Sequence, residues 1–388
     1  MKPKVFYGSP HQSRLTGSET LPAKLDLILN ELHLRDRVKD ELVCIKLHVG
    51  NDIGYSVIHP VFVRKVVQAV LDGGGKPFVA DVEWDVAGCE TRGYTSEVLG
   101  CPVYPASGLK NNFYYEHPHE YKNLKTWKVA GMVEDATFMV NFAHVKGHPS
   151  CGFGAAIKNI ALGCMVGETR SQMHDTNHYD KYWFKEKCQD RALMQKIVDA
   201  CPFEAVVFDK KDPEELHVHF EPCNQCGRCL KVAPPGSLKI DPVNFQSFQE
   251  ACAISTAIVM STFAKEKAVH LALANQMTPV CDCFGFTGMS ILNDEGIFGS
   301  DDIVALDKAV LDKTADLPLI YENIPDCIEP QDIPGHPFAK LHGPYKDPYD
   351  MVRFAEKYGV GSQDYELVDV LPYTRTRPAG SSYYIAAK

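Results

Sequence analysis

The sequence predicts an α/β protein: a mostly parallel sheet with helices on both faces, interrupted by a small inserted cysteine-rich module. Short apolar runs typical of buried strands alternate with segments whose apolar residues recur at helical spacing. One such run, at residues 138–142, leads into a polar turn, a glycine-rich turn and a helix, which is the order found at ligand sites of open sheets. A segment rich in Pro and Cys breaks this alternation near residue 210.

A chain of 388 residues is too long for one small core, and we expect an α/β domain in two parts around the module. The predicted parts are residues 1–209, the module at 210–244, and residues 245–388, which end in an irregular tail. The formal net charge of −10 argues against a nucleic-acid partner. No apolar run is long enough to span a bilayer and no secretory signal begins the chain, so we expect a cytoplasmic protein without a membrane partner.

Local signals place the elements of the first part. Residues up to about 40 begin polar and are expected to wrap the surface around one short helix. Pro60 suits the first turn of a helix, and the three glycines at 73–75 end it. The strands before and after that helix then form a parallel pair with a right-handed crossover. The predicted elements are helices at 24–34, 60–71, 91–99 and 190–200, strands at 41–50, 76–82, 101–104, 138–142 and 204–209, and a helix that carries Lys158.

The second part is predicted from the same kinds of signal. After the module, a long helix is expected from residue 245 to about 274, followed by a strand and a turn at 275–285. Asp301 or Ser300 is a suitable cap for a helix at 301–312. From residue 325 onward the chain is rich in Pro, Gly and Tyr, and we expect one helix at 348–358 within a surface tail.

Polar groups gather at the end of the apolar run. His144, Lys146 and His148 follow it, and a turn with Gly152 and Gly154 then opens the next helix. Free N–H groups at a helix amino terminus attract anions, so this turn predicts a site for a carboxylate, a phosphate or a metal. The alternative is structural: the glycines only permit tight packing and the histidines only cap the turn.

Cys223, Cys226 and Cys229 carry the strongest chemical signal of the chain. Their C-x2-C-x2-C spacing is that of a ferredoxin-like module, in which a fourth cysteine and a proline follow. Here Ala233 and Pro234 stand at those two positions, so the proline is kept and the cysteine is not. We therefore predict one 4Fe-4S cluster with three corners held by this run. A zinc site is the alternative, because three cysteines and one further ligand also satisfy tetrahedral zinc.

The fourth cluster ligand must come from elsewhere, or the fourth iron stays open. Cys281 and Cys283 are the favoured candidates because they lie in a predicted strand-end turn. Cys252 is a weaker candidate, since it sits in an apolar helical stretch. Cys44, Cys101 and Cys201 lie beside apolar residues and are interpreted as buried fillers.

Several stretches together resemble the family called domain of unknown function 362. They are residues 140–148, 152–164, 223–229, 278–283 and 296–307. The resemblance implies an α/β domain with an inserted ferredoxin module, and it names no reaction. Many members of the family carry two cysteine runs, whereas this chain keeps one, shortened run.

A more distant likeness concerns the spacing of His148, Lys158 and His174. It is similar to the spacing of a histidine, a lysine and a second histidine in the nickel-pincer lactate racemase family. The likeness implies that Lys158 would anchor a pincer nucleotide covalently and that His174 would bind metal.

Three functions follow from these signals. The first is an iron–sulfur oxidoreductase or electron-transfer protein, with an electron-transfer partner and a small anionic substrate or cofactor in the cleft. Its predicted catalytic residues are His144, Lys146, His148, Lys158 and His174, and its predicted cofactor-binding residues are Gly152 and Gly154. The second is a metal- or nucleotide-dependent isomerase or racemase. The third is a binding or scaffold protein with a structural cluster. The oligomeric state stays open, with a homodimer as one option.

Overall fold

An eight-stranded sheet forms the centre of the protein, and helices pack on both of its faces. The computed structural model describes residues 2–178, 180–220, 222–223, 226–343 and 345–373. The predicted α/β class and mostly parallel sheet are confirmed. Among the described residues, no helix combines the length and the apolarity needed to cross a bilayer.

The elements have the following bounds. The strands are β1 Lys4–Gly8, β2 Leu42–Lys46, β3 Lys76–Asp81, β4 Val103–Pro105, β5 Tyr114–Tyr121, β6 Leu124–Ala130, β7 Phe138–His144, β8 Lys146–His148, β9 Gly152–Gly154, β10 Val206–Phe208, β11 Leu216–Val218, β12 Ala268–Ala274, β13 Gly296–Ser300 and β14 Glu366–Asp369. The helices are α1 Leu21–Glu31, α2 Leu34–Arg37, α3 Pro60–Asp72, α4 Glu83–Val86, α5 Ser96–Leu99, α6 Gly131–Glu134, α7 Ala156–Gly163, α8 Gly167–Asp175, α9 Arg191–Asp199, α10 Arg228–Val232, α11 Pro242–Ser261, α12 Ile303–Thr314, α13 Pro337–His342 and α14 Pro348–Lys357.

The strand order of the central sheet is β14-β1-β13-β12-β7-β2-β3-β4. The five strands from β12 to β4 are parallel, with pairs such as Ile45 to Val140 and Ile45 to Val79. β13 is antiparallel to both of its neighbours. Strands from both predicted α/β parts of the chain therefore share one sheet.

Two cores flank the sheet because successive side chains of a strand point to opposite faces. From β7, Val140 and Phe142 enter the core on the side of α1 and α3. Met139 and Ala143 of the same strand enter the core on the side of α7, α11 and α12. All of β7 is buried, which explains why its sequence is a continuous apolar run rather than an alternating one.

The predicted helix from 245 to 274 is wrong in its second half. α11 ends at Ser261, and residues 268–274 form β12, which pairs with β7 in the middle of the sheet. A short apolar run that is buried on both faces has no periodicity that separates a helix from a strand. The polar residues between Phe263 and Ala268 were the available sign of a break.

Five longer strands of the structure lay outside the predictions. Residues 4–8 form β1 rather than a surface wrap, and β13 and β14 extend the sheet beyond β12. β5 and β6 form a separate antiparallel hairpin. The predicted helix at 348–358 is present as α14, but the segment after it adds an edge strand instead of remaining a surface tail. Residues 374–388 of the predicted tail lie outside the described residues.

A third, smaller core belongs to the cysteine-rich part of the chain. It contains Trp183, Ile197, Val218 and Cys229 and reaches Phe245. β10, which was predicted to end the first α/β part, pairs with β11 in a separate two-stranded sheet. The structure thus pairs β10, which lies before the predicted boundary at residue 210, with β11, which lies after it.

Candidate functional site

A cavity of about 510 Å³ opens at the carboxyl ends of β2, β3 and β7; we call it the strand-end cavity. The chain continues from β2 towards β3 on one side and returns through β7 on the other side. In open α/β sheets, ligands bind in the crevice that such a reversal of strand order creates. α7 lines the cavity with Lys158 and Asn159, and α8 lines it with Arg170 and His174.

Buried charges follow β2 and β3. Lys46 Nζ donates to Asp81 Oδ1 at 2.8 Å and to Asn159 Oδ1 at 3.0 Å. His48 Nδ1 lies 3.3 Å from Asp81 Oδ2 and 3.2 Å from Asp85 Oδ2. Because carboxylates only accept hydrogen bonds, this nitrogen carries a proton, and the network fixes the orientation of the imidazole ring.

His48 presents a positive charge to the cavity. Burial lowers the pKa of its imidazole, but the negative charges of Cys281 and Asp85 and the hydrogen bonds to both carboxylates hold that pKa well above its ordinary value. Its Nε2 is buried and lacks a hydrogen-bond partner in the described part of the chain. The ring therefore has one N–H available to a ligand in the strand-end cavity.

The amino terminus of α7 does not provide the anion site that the sequence predicts. The backbone N–H groups of Ala156 and Ile157 donate to the two carboxylate oxygens of Asp307, at 2.9 and 2.8 Å. Asp307 belongs to α12 and is fully buried. The chain thus supplies its own anion at this helix end, and an external anion must bind deeper, among the side chains.

The loop after β12 brings two sulfurs to α7. Lys158 Nζ lies 3.9 Å from both Cys281 Sγ and Cys283 Sγ. Asp282, between them, accepts a hydrogen bond from Ser56 Oγ at 2.8 Å and another from the hydroxyl of Thr287. The carboxylate of Asp282 therefore ties the cysteine loop to the loop after β2.

The two thiols have opposite protonation tendencies. Burial would raise the pKa of Cys281, but the hydrogen bond from Cys283 and the positive charges of Lys158, Lys146 and His48 hold it well below its ordinary value. The hydrogen bond to Cys281, burial and the negative charge of Cys281 hold the pKa of Cys283 well above its ordinary value. The pair therefore holds one thiolate, on Cys281, and one thiol.

His148 completes this cluster as a hydrogen-bond donor. Its Nδ1 accepts the backbone N–H of Ser150 at 3.2 Å, and burial and the charge of Lys158 hold the pKa of the ring well below its ordinary value. A neutral imidazole that accepts at Nδ1 carries its proton on Nε2, which lies 3.8 Å from Cys283 Sγ. The ligand atoms of His148, Cys281 and Cys283 lie within 4.8 Å of one another, as a metal site requires. A metal ion needs a lone pair on Nε2, however, and the bond from Ser150 disfavours that tautomer.

His144 offers the complementary group, an unused acceptor. Its Nε2 donates to the backbone oxygen of Asn275 at 2.7 Å. Its Nδ1 is buried without a partner among the described residues. Burial and the charge of Lys146 lower the pKa of the ring to about 4. The neutral ring can therefore accept a proton or a hydrogen bond from a ligand.

A second cavity, of about 220 Å³, lies in the cysteine-rich part of the chain. Four thiols line it, and we call it the cysteine cavity: Cys201, Cys223, Cys226 and Cys229. Burial, followed by the negative charges of the other three cysteines, raises the pKa of Cys229 to about 12. Each thiolate in such a group makes the next thiol harder to deprotonate. Binding of a metal ion that prefers sulfur ligands removes this repulsion, so that the thiols ionise together.

The expected fourth ligands lie elsewhere. Cys281 and Cys283 line the strand-end cavity, and Cys252, a residue of α11, is buried in the core on that side of the sheet. Cys201, interpreted from sequence as a buried filler, lines the cysteine cavity with the three cysteines of the run. Contacts of Lys158 and Ser56 with the loop after β12 hold that loop against α7 and the loop after β2.

The two predicted glycines have different roles in the structure. Gly152 adopts a φ of +75°, and a Cβ on it would lie 2.0 Å from the backbone oxygen of Lys346. Gly152 thus permits a close backbone approach, as the structural alternative expects. Gly154 lines the strand-end cavity. Lys346 Nζ donates to the backbone oxygens of Phe220, at 3.2 Å, and of Cys223, so the same segment contacts the cysteine module.

The strand-end cavity brings together all five residues predicted as catalytic: His144, Lys146, His148, Lys158 and His174. The ring of His174 stacks on Phe248 with 4.4 Å between their centroids. Among the polar residues of the wall that sequence reasoning missed are Lys46, His48, Asp81, Asp85 and Arg170. Four of these lie in or just after β2 and β3, and the rule that parallel strands end at one edge could have selected them.

The family model described as Domain of unknown function (DUF362) matches residues 43–312. No curated protein matches the chain. Among solved structures, the chain is similar to a protein of Thermotoga maritima, with 12% identity, a TM-score of 0.36, and 69% of this chain and 51% of that chain covered.

A second solved structure is the lactate racemase apoprotein from Thermoanaerobacterium thermosaccharolyticum. This chain is 10% identical to it, with a TM-score of 0.34 and coverage of 69% of this chain and 50% of that chain. The chain therefore spans about half the length of these two solved chains.

Proposed function

The chain belongs to the DUF362 family, and from that premise we propose that it is an iron–sulfur oxidoreductase that holds one 4Fe-4S cluster in the cysteine cavity and a small anionic substrate in the strand-end cavity. One observation carries the proposal: Cys201 joins the three cysteines of the run around a single cavity. Four thiolates are the usual ligand set of such a cluster, which supplies one-electron transfer when bound.

The spacing of the cysteine run supports a cluster over zinc. A C-x2-C-x2-C run is the arrangement of ferredoxin clusters, whereas a structural zinc site usually pairs two separated C-x2-C arms. Gly227, with a φ of +72°, provides the turn between the second and third cysteines of the run.

The electrostatics of the strand-end cavity support an anionic substrate. Lys158 and Lys146 form no ion pair with a carboxylate among the described residues, and both act on the single thiolate of Cys281. The charge of His48 is balanced by the two carboxylates that hold its ring. The surplus of positive charge attracts an anion. The Nε2–H of His48 and the Nδ1 lone pair of His144 then provide one donor and one acceptor for its polar groups.

One segment links the two cavities. Lys346 reaches the backbone of Cys223 with its side chain and packs its backbone oxygen against Gly152. Gln249 Nε2 bridges the backbone oxygens of Cys151, at 3.1 Å, and Asp347, at 2.7 Å. A continuous packed path therefore joins the cysteine module to the hairpin that borders the strand-end cavity, as electron transfer between them requires.

Anaerobic purification of the whole chain with iron, sulfide, zinc and nickel analysis tests the cluster. We expect about four iron and four sulfide per chain, as the 4Fe-4S formula demands. Cys201→Ala is expected to lose most of both. Cys188→Ala is the matched control, because Cys188 is buried in the same small core and does not line the cavity. One zinc without sulfide, or a Cys201→Ala variant with full iron, contradicts the proposal.

EPR spectra before and after dithionite reduction separate electron transfer from a structural cluster. A cluster that accepts one electron gives a new signal on reduction, whereas the scaffold interpretation expects no change. Loss of that signal in Cys201→Ala but not in Cys188→Ala assigns it to the cysteine cavity.

A second candidate function is a proton-transfer isomerase or racemase. Two observations favour it: the charged His48 and the neutral His144 line one cavity, each with an unused nitrogen. An acid and a base on one substrate are the groups that such a reaction needs. Its covalent-cofactor version requires an adduct on Lys158, so an unmodified intact mass of the natively expressed protein counts against it.

A further inference from the structure

We infer that Cys281 is a nucleophile of the strand-end cavity and attacks the electrophilic carbon of a small carbonyl compound that carries a carboxylate or phosphate group. The inference rests on the anion-binding part of the proposed function and is independent of the iron–sulfur cluster. It assigns to the loop at 281–283 a chemical role in place of cluster ligation.

The position of Cys281 is that of an activated thiolate. Its sulfur accepts the backbone N–H of Cys283 at 3.4 Å and lies 3.9 Å from Lys158 Nζ. The residue lines the strand-end cavity although only 1% of its surface is exposed to solvent. Thiolates that lie beside a cation in a partly closed cavity are the reactive cysteines of proteins.

A chain of donors selects Cys281 over Cys283 as the reacting sulfur. The Nε2–H of His148 points its proton at Cys283 Sγ, 3.8 Å away. The thiol of Cys283 in turn hydrogen-bonds to Cys281 and lowers its pKa. Each donor in such a chain strengthens the next, so negative charge gathers on the last acceptor, which is the sulfur of Cys281.

Lys158 serves as a cation and not as a nucleophile. Burial lowers the pKa of its amine, but the negative charge of Cys281 raises it well above its ordinary value. The amine therefore stays protonated and has no lone pair to form an imine. Its positions beside both sulfurs let it balance the thiolate and orient an anionic group of the substrate.

The covalent step balances without an added oxidant or reductant. The lone pair of the Cys281 thiolate forms a bond to the carbonyl carbon, and the π electrons of the C=O bond move to its oxygen. The Nε2–H of His48 transfers its proton to that oxygen, which leaves a neutral imidazole and a neutral thiohemiacetal hydroxyl. His48 is assigned this role because it lines the same cavity and its charge acts on Cys281.

Two alkylating agents that differ in charge test the inference on the anaerobically purified protein. Iodoacetate is an anion and iodoacetamide is neutral; with both, the S–C bond forms as iodide leaves. We expect iodoacetate to modify Cys281 at least about tenfold faster than iodoacetamide, because the cavity concentrates anions. Exposed Cys327 is the internal control, and there iodoacetate is expected to be no faster. Peptide mass mapping gives the rate at each cysteine.

Variants identify the source of the preference. Lys158→Met and, separately, Lys146→Met are expected to reduce the iodoacetate preference at Cys281 by at least about threefold, because each removes one positive charge. Lys110→Met, at an exposed position outside both cavities, is the matched control and should keep the preference. Two independent lysine variants are used so that a folding defect in one leaves the other as a test.

Three results would overturn the inference. They are slow modification of Cys281 with both reagents, equal rates for the two reagents, or a metal ion that blocks Cys281 until a chelator removes it. Iron analysis on the same sample keeps the two proposals separate. Fast, anion-selective modification without iron contradicts the cluster alone, whereas full iron with an inert Cys281 contradicts the nucleophile alone.

Discussion

At the scale of single residues, Asp307 shows how one buried side chain changes what a helix end can do. The sequence predicts that the free N–H groups of α7 attract an external anion. In the structure, the carboxylate of Asp307 accepts hydrogen bonds from two of those N–H groups. Burial raises the pKa of Asp307 to about 7, even though both hydrogen bonds lower it. A residue 150 positions away thus removes the predicted site.

This carboxylate predicts a pH dependence of stability. The pKa of Asp307 is about 7 in the folded chain and about 3.9 when unfolded. Between these pH values the folded chain binds a proton that the unfolded chain does not, so the free energy of unfolding falls as pH rises. Asp307→Asn cannot titrate, and its stability relative to the wild type should rise by up to about 4 kcal/mol from pH 4 to pH 7. Urea unfolding across this range measures it.

Asp316→Asn, at an exposed position shortly after α12, serves as the control for this measurement. Its change in stability with pH is the baseline for the same surface charge change, and the change for Asp307→Asn is expected to exceed it. Equal changes for the two variants would show that the carboxyl group of Asp307 has the same pKa in the folded and unfolded chain.

At the scale of elements, the hairpin of β8 and β9 is the piece that joins the two cavities. β8 supplies Lys146 and His148 to the strand-end cavity. The turn into β9 packs Gly152 against the backbone of Lys346, whose side chain holds the loop of Cys223. A side chain at position 152 would therefore disturb both the hairpin beside the strand-end cavity and the segment of Lys346 that contacts the cysteine module.

Gly152→Ala is expected to destabilise the protein by at least about 2 kcal/mol more than a control glycine substitution. Gly359→Ala is that control, since Gly359 has the same φ of +75° and nothing within 4 Å of a built Cβ. Both variants carry the cost of the left-handed conformation, about 1 kcal/mol. Only the first meets a backbone oxygen at 2.0 Å. Urea unfolding of both variants measures the difference, and equal costs would show that the backbone of Lys346 moves freely.

At the scale of the whole molecule, the protein has two large cores that flank the sheet and a third, smaller core. The sheet collects strands from both ends of the chain, with β1 placed between β13 and β14. The small core around the cysteine cavity contains few large apolar side chains and one two-stranded sheet. Such a unit gains little stability from burial alone, and a bound cluster that cross-links its loops would supply the remainder.

Removal of the proposed cluster is therefore predicted to loosen the cysteine module selectively. After anaerobic iron chelation, backbone amides of residues 183–245 should exchange hydrogen faster, while β2, β7 and β12 keep their protection. Hydrogen exchange followed by mass spectrometry measures both regions in one sample. Equal loss of protection in the sheet would mean that the small core unfolds together with the two cores that flank the sheet.

Local pattern was sufficient for part of the site. The polar turn after β7, with His144, Lys146 and His148, was predicted because it directly follows the apolar run at residues 138–142. Lys158 followed from the next helical stretch, and the structure places all four in one cavity. His48 was not predicted as a site residue. The sequence around a histidine that follows a strand does not distinguish a buried, carboxylate-bound ring from a ring on the surface.

The sequence by itself determined the fold class, the parallel pairing around residues 41–82, and the polar turn that lines the strand-end cavity, because these depend on the periodicity and spacing of neighbouring residues. Only the tertiary structure decided which cysteines meet. Cys201 lies with the three-cysteine run and Cys281 lies with Lys158, although the spacing along the chain suggests neither. The physical reason is that contacts between distant segments follow from strand order and from buried anchors such as Asp282, and neither leaves a local signature.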